Sequence, residues 1–336
     1  MSDVPPDHPE IPERKIGVLL INLGTPDDST PKAVRTYLAE FLSDRRVIEI
    51  PPIVWQPILR GFVLTTRPKK SAHAYQQVWT KEGSPLAAIT RAQAEALKGS
   101  FGPGVVVDWA MRYGRPAIAD RLQALKDEGC DRILLAPLYP QYCAATTATA
   151  NDHAFRKLMT MRWQPAVRTL PAYHDDPRYI AALRETVEAQ LAELDFAPDA
   201  VIASFHGMPE RTLHLGDPYH CHCRKTGRLL SEALGREVMV TFQSRFGRAK
   251  WLEPYTDKVL ERLPGEGVKK LAILAPGFSA DCLETLEELA IRGKEQFLSA
   301  GGEDFAYLPC LNATTTGIDM LRAVLATELE GWLSPP

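Results

Sequence analysis

Three places in the sequence carry side chains suited to metal and proton chemistry. Asp217–Gly227 reads DPYHCHCRKTG, with His220, Cys221, His222 and Cys223 in consecutive positions. Interleaved imidazole and thiol suggest a metal site, yet structural zinc usually draws cysteines from pairs spaced C-x2-4-C plus a second, distant pair, and C-x-C is tighter than that. The same segment leads into a helix-forming run, RKTGRLLSEAL, where these residues would be packing or surface groups. The second place is SADCLETLEEL, Ser279–Leu289. Asp281 followed three residues later by Glu284 fits a helix N-cap with its reciprocal partner. Glu284 and Glu288 then share a face at i and i+4, with Glu287 beside them, and such like charges oppose one another by about 0.2–0.5 kcal/mol. A cation would relieve that repulsion; a first-turn dipole and solvent would also accommodate it. The third is His206 in SFHGMP, at the end of a β-prone run. A neutral imidazole there can accept a proton or bind a divalent metal, although a lone histidine is also an ordinary structural residue.

The elements that must position these groups recur in order. KIGVLLINLGTPD and DAVIASFHGMPE each run from β-prone residues into Gly-x-Pro-acid. VVVDWAMRYGRP and VMVTFQSRFGRA each follow a strand with Arg, an aromatic, Gly and Arg. LQALKDEGCDRILLAP and LERLPGEGVKKLAILAP each carry a helix-spaced Leu pair, an acid-Gly break and an apolar strand ending in Ala-Pro. Such self-similarity predicts a duplicated chain. Short apolar strands alternating with helical stretches predict βαβ units, hence an α/β fold of two similar Rossmann-like halves, each a parallel sheet flanked by helices. No GxGxxG or GxxxxGK[ST] follows a strand, so a nucleotide would lack its phosphate cradle. Ligands of open α/β sheets bind beyond the carboxyl ends of the strands, where every repeated landmark falls, so a cleft between the halves is the expected site. Leu23 is the repeat's counterpart of His206.

From Gly24 to Arg112 is 88 positions and from Gly207 to Arg245 is 38, a 50-residue surplus in the first half. Much of it lies near residues 45–70, an apolar, proline-broken segment between Arg45, Arg46, Lys69 and Lys70. It reads either as an extra strand and helix in the core or as an apolar lip offering Ile53, Val54, Trp55, Ile58 and Leu59 to a greasy ligand or membrane surface.

With 336 residues, 45% hydrophobic and 24% charged, the chain suits an ordinary globular protein of two domains or one large one. A formal charge of -3 gives no general attraction to nucleic acid or anionic lipid. Residues 1–13, proline-rich and acidic without a secretory pattern, are expected to form a loose cytoplasmic tail. No apolar run is long enough to span a bilayer. The six cysteines are expected to be reduced.

INLGTP, MRYGRP, LYPQYCAATT, SFHGMPERTLHLGDPY, TFQSRFGRAKWLEPYTD and PGFSADCLETLEEL resemble the bacterial-type ferrochelatase family, over about Lys15–Asn312. The resemblance implies chelatase-like domains at 14–171 and 172–312 with a porphyrin cleft between them, and a C-terminal helix within 313–336 packing back on the first. It implies insertion of Fe(II) into protoporphyrin IX, with release of two protons, to give protohaem. Related alternatives are another metal or tetrapyrrole, such as cobalt or coproporphyrin, or binding without turnover. It marks His206 and Glu284 as catalytic, and His206, Glu284 and Glu288 as groups that meet the metal. Leu23, Arg112, Tyr113, Tyr139 and Trp251 match porphyrin-cleft positions, with Arg112 suited to a propionate and Trp251 equally readable as core. Some members of the family carry a 2Fe-2S cluster through cysteines in a C-terminal extension; here no cysteine follows Cys310, and an internal arrangement through Cys221 and Cys223 stays open. Iron is otherwise substrate, and no cofactor is required. The implied setting is cytoplasmic, with peripheral membrane contact in reach and no nucleic acid or nucleotide partner.

Overall fold

The computed structural model describes residue 7, residues 13–247 and residues 249–333. Most of the expected 1–13 tail lies outside them. Among the described residues, eight strands form two parallel sheets. The first contains β1 (Lys15–Gly24), β2 (Val105–Tyr113), β3 (Cys130–Pro137) and β4 (Ala166–Thr169), in the order β2-β1-β3-β4. The second contains β5 (Ala200–His206), β6 (Val238–Gln243), β7 (Lys270–Leu274) and β8 (Asp304–Leu308), in the order β6-β5-β7-β8. One order is the other advanced by four strands, as duplication requires. β1 and β5 are central and almost wholly buried, which is why they read as continuous apolar runs rather than alternating ones.

The two halves also share a detail of turn chemistry. Gly24, at φ +112°, passes so close to β2 that a Cβ would lie 1.8 Å from the Tyr113 carbonyl oxygen. Its counterpart Gly207 would put a Cβ 2.6 Å from the Gln243 oxygen of β6. Only glycine lets each central strand leave its sheet against its neighbour.

Strand register corrects the second repeated landmark. Met111 pairs with Asn22, two before Gly24, whereas Phe242 pairs with Phe205, two before Gly207. Gln243, not Arg245, therefore occupies the place of Arg112. Arg112 is a buried strand residue, while Arg245 lies past the strand and pairs with Asp257 at 2.8 Å.

The first-half surplus is helical, and residues 45–51 form no strand. Helix Pro52–Ile58 continues through an i→i+5 segment, Leu59–Val63, into helix Leu64–Val78. Pro57 and Pro68 lie inside these helices, each lacking a ladder donor. Trp55 and Leu59 face inward: Trp55 Nε1 donates to Leu42 O at 2.6 Å, and Leu59 is buried with Leu42, Ile48 and Leu64. Ile53, Val54, Ile58 and Phe62 face out, with Ile53 85% exposed. The lip is thus pinned on one side and bare on the other.

A single apolar cluster runs from Val18, Leu20 and Leu134 of the first sheet to Val201, Phe205 and Leu274 of the second, taking in Tyr173, Tyr179 and Leu183 between them. The last helix, Thr315–Leu329, is tied to the first sheet: Arg168 donates to Glu328 O and Glu330 O, and Arg132 donates to Trp332 O. Among the described residues no helix is long and apolar enough to cross a membrane.

Candidate active site

His206 ends β5, half-buried. Its Nδ1 lies 2.7 Å from Gly207 O. A carbonyl only accepts, so Nδ1 carries the proton in the neutral ring and the lone pair sits on Nε2. Tyr219 OH donates to His206 O at 2.9 Å and fixes the backbone beneath the ring. Trp251 supports the same turn, its Cε3 lying 3.2 Å from where a Gly207 Cβ would project. The Trp251 indole is buried and donates to Phe246 O at 3.0 Å, which makes it a support for the turn rather than an open wall.

The acidic segment follows β7. Its cap differs from the sequence expectation: the N-cap is Cys282 with Thr285, and the short helix Leu283–Thr285 opens into an i→i+5 helix, Leu286–Gly293. Asp281 instead accepts from Thr285 Oγ1, from Tyr307 OH at 2.6 Å and from Asn312 Nδ2 at 2.6 Å. Widened helical turns of this kind are frequent at functional sites. Here the three glutamates part company. Glu287 is buried and bonded to Arg292 at 3.0 Å. Glu288 accepts from Ser244 N–H at 2.8 Å and Ser244 Oγ at 2.5 Å. Ser244 makes both bonds from a left-handed conformation, φ 63°, that a serine rarely adopts. Burial pushes the Glu288 carboxyl above its ordinary range, with Glu284 adding to the shift, while Ser244, His206 and Arg292 oppose it. Glu288 thus feels both the imidazole and the second acid.

Glu284 lies within electrostatic reach of Tyr75 and Tyr37. Burial raises the Tyr75 phenol, and the field of Glu284 raises it further; Tyr37 responds to burial, Tyr75 and Glu284 in that order. Leu283 packs on Val34, Ala72 and Tyr75, so the surplus helices are the platform on which the acidic arm rests. From beneath, Gln243 Nε2 holds Glu284 O at 2.8 Å, and Gln243 Oε1 is itself held by Ser204 Oγ at 2.8 Å. Tyr37, Tyr75, Gln243 and Ser244 escaped the sequence reading; Gln243 stands beside His206 only through the strand register, which the sequence repeat did not carry.

Among the described residues, no three His, Cys, Asp or Glu side chains converge closely enough to hold a metal ion. His206, Glu284 and Glu288, expected to meet the metal, are neighbours rather than a preassembled ligand set. Leu23 is half-buried at the end of β1 and packs with Met111, Ala280 and Cys282, bridging the halves. Arg112 departs from the expected free propionate donor: its guanidinium is paired with Asp44 and donates to Thr149 Oγ1 at 2.7 Å. Tyr113 is buried, donates to Asp44 at 2.9 Å and lies under the guanidinium at 4.2 Å. Burial would raise the Asp44 carboxyl, but bonds from Thr149, the Arg46 N–H and Tyr113, with the Arg112 charge, hold it below its ordinary value. The Tyr139 hydroxyl is buried with no hydrogen-bond partner among the described residues.

The His-Cys run lies in helix Tyr219–Leu234. Residues two apart on a helix point to different faces: Cys221 is exposed and Cys223 buried. The pair therefore does not fit as joint ligands of an iron–sulfur cluster. His222 stacks on His174 at 3.6 Å and accepts from Tyr142 N–H at 3.2 Å, and His220 stacks on Phe242 at 5.8 Å. The run fastens this helix to both halves.

Comparison with known proteins identifies the family. A protein-family model described as Ferrochelatase matches residues 15–329. The chain is 54% identical over 340 residues to a ferrochelatase of Agrobacterium fabrum, covering 99% of each chain. It is 56% identical over 336 residues to one of Rhizobium etli, covering 98% of each. Among solved structures it resembles SirB of Bacillus subtilis, determined with Fe3+, at 12% identity and TM-score 0.57, covering 95% of this chain and 97% of that one. It also resembles CbiX, the terminal enzyme of sirohaem synthesis in denitrifying bacteria, at 15% identity and TM-score 0.55, covering 94% and 100%. At these identities the two structures speak to fold alone.

Proposed function

The chain belongs to the ferrochelatase family, and from that membership we propose that it inserts Fe(II) into protoporphyrin IX, releasing two protons to give protohaem. The carrying observation is one nitrogen with a free lone pair, His206 Nε2, at the end of β5 near two carboxylates, Glu284 on the short helix and Glu288 on the widened helix that continues it. A porphyrin keeps two N–H protons inside its ring, so the metal enters only as those protons leave and the pyrrole nitrogens tilt out of plane. His206 Nε2 is the base that takes a pyrrole proton. Glu288, with its carboxyl pushed up, accepts protons more readily than a free carboxylate and releases them to solvent, to which its side chain is partly open. Glu284 meets the incoming Fe(II), for which carboxylate and imidazole are both acceptable ligands. Tilting the macrocycle falls to the cleft walls, among them Leu23 and Tyr139, through contacts remote from the reacting nitrogens. Arg112 and Tyr113, locked by Asp44, act by holding the first-half wall in place.

We place the protein in the cytoplasm with peripheral membrane contact through Ile53, Val54, Ile58 and Phe62, a bare apolar face suited to a hydrophobic porphyrin or the membrane that dissolves it. The test is an anaerobic insertion assay with Fe(II) and Co(II), each offered protoporphyrin IX and coproporphyrin. Fastest turnover with Fe(II) and protoporphyrin supports the assignment; preference for another pair, or binding without insertion, overturns it.

A further inference from the structure

Three buried hydroxyls in the second half stand where the first half is apolar. The register sets Met111 against Asn22 and Phe242 against Phe205, so Ala110 corresponds to Thr241 and Ile21 to Ser204. Met111 N–H donates to Pro116 O and Phe242 N–H to Pro254 O, so Ile118 and Thr256, each two residues past the accepting proline, also correspond. Ile21, Ala110 and Ile118 belong to one apolar core cluster of the first half, each with 0% exposure. Thr256, at the start of helix Thr256–Arg262, is 2% exposed, and Ser204 and Thr241 are 0% exposed. Burying three hydroxyls costs desolvation that packing does not require, since the duplicate fills the same places with two isoleucines and an alanine.

The bonds these hydroxyls make run in one direction. Gln243 Nε2 donates to Glu284 O at 2.8 Å, which leaves Oε1 for Ser204 Oγ, also at 2.8 Å. A flipped amide would set its oxygen against the Glu284 oxygen, so Ser204 must be the donor. Its single proton is then engaged, and the 2.9 Å contact with Thr256 Oγ1 requires Thr256 to donate. The same count makes Thr241 the donor to Thr256 across 2.8 Å. Thr241, Thr256, Ser204 and Gln243 thus form a chain that ends on the Glu284 carbonyl, each bond polarising the next. In the first half Arg112 takes the place of Gln243 and bonds Thr149, and the side chains at the three corresponding positions can form no hydrogen bond.

We propose that Ser204, Thr256 and Thr241 are positioning residues for metal insertion: through Gln243 they fix the head of the acidic arm, and with it Glu284, without touching porphyrin or metal. This rests on the role given to Glu284 above.

Anaerobic insertion kinetics, with thermal melting of each variant, test it. Ser204→Ala removes the donor to Gln243 and should lower kcat/KM for Fe(II) about fivefold, the factor that one lost hydrogen bond commands, with the KM for porphyrin unchanged. Thr256→Val, close in shape, breaks the chain one bond farther back and should cost less. Thr256→Ser keeps the hydroxyl and should match the unsubstituted rate. In a Glu284→Gln background Ser204→Ala should bring no further loss, because the two act through one carboxylate. Folded Ser204→Ala with kcat/KM for Fe(II) within about twofold of the unsubstituted value would overturn the proposal. So would an equal loss from Ser204→Ala in both Glu284 backgrounds, or equal rates for Thr256→Val and Thr256→Ser; if Ser204→Ala does not fold, the Thr256 pair decides. Unsubstituted protein that inserts no Fe(II) would instead refute the function proposed above.

Discussion

The bond from His206 Nδ1 to Gly207 O leaves the lone pair of the neutral ring on Nε2, and different groups hold Glu284 and Glu288, to which the proposed mechanism gives different jobs. Glu284→Gln should cut turnover at least tenfold, about 1.4 kcal/mol of barrier. Glu287→Gln should leave turnover within a factor of two and appear only in stability, because its carboxylate is spent on Arg292. Steady-state rates of the two variants check this, and equal losses would show that the acids act as a field rather than through one residue. For Glu288 the sign is that of an acid raised by burial: the folded state favours its protonated form, so its stability contribution is present below the ordinary carboxyl range and lost as pH rises through the raised value. Glu288→Gln should therefore raise the melting midpoint at pH 7 and lower turnover, with the stabilisation shrinking below about pH 4; thermal melts across pH measure it. His206 and the acidic run were legible as residue types because imidazole and carboxylate at strand ends are few. Their supports were not. Tyr37 and Tyr75 come from helices more than 200 positions away in sequence, and Asp281 looked like a cap only because a regular α-helix was assumed where the turn widens.

Among the elements, the first-half insertion does two things. Its inner side, through Tyr75 and Ala72, carries the acidic arm, and its outer side is bare. The sequence showed an apolar, proline-broken segment but not which residues would turn inward, because the i→i+5 segment after Pro57 resets the helical phase. Trp55, which looked like part of the lip, is instead its anchor. Glutamate at Ile53, Ile58 and Phe62 together should weaken binding to anionic vesicles while leaving the melting midpoint within about 2 °C. Trp55→Ala should cost about 2–4 kcal/mol of stability instead. Vesicle co-sedimentation beside denaturant unfolding separates the two; unchanged sedimentation of the triple variant would refute a membrane face.

At the scale of the whole molecule, duplication was readable from three ordered landmarks because each marks a strand end, where turn chemistry constrains sequence. The exact equivalence of Arg112 and Arg245 was not, since strand register, absent from the sequence, displaces them by two residues. The His-Cys run fastens its helix to both halves, His222 stacking on His174 and accepting from the Tyr142 N–H, and the ring pair of that clasp is expected to be pH-sensitive. Burial and the facing His222 push His174 down to about 4, with Lys225 acting the same way and Asp175 opposing. His222 is lowered too, by burial and Lys225 against Asp175 and Asp217. The folded state thus prefers neutral rings, so their contribution is complete above the ordinary value of 6.5 and is lost as pH falls from there toward 4. Urea midpoints should decline over that window, and His174→Phe should flatten the decline; parallel curves would refute the clasp.

The central claim, that His206 is the base of a metal-inserting cleft, is tested most directly by His206→Ala in anaerobic single-turnover insertion of Fe(II) into protoporphyrin IX, with porphyrin binding followed by fluorescence on the same samples. The expected result is porphyrin affinity near that of the unsubstituted protein with less than a tenth of its insertion rate. Retention of more than a tenth of that rate at full porphyrin occupancy would contradict the role assigned to Nε2.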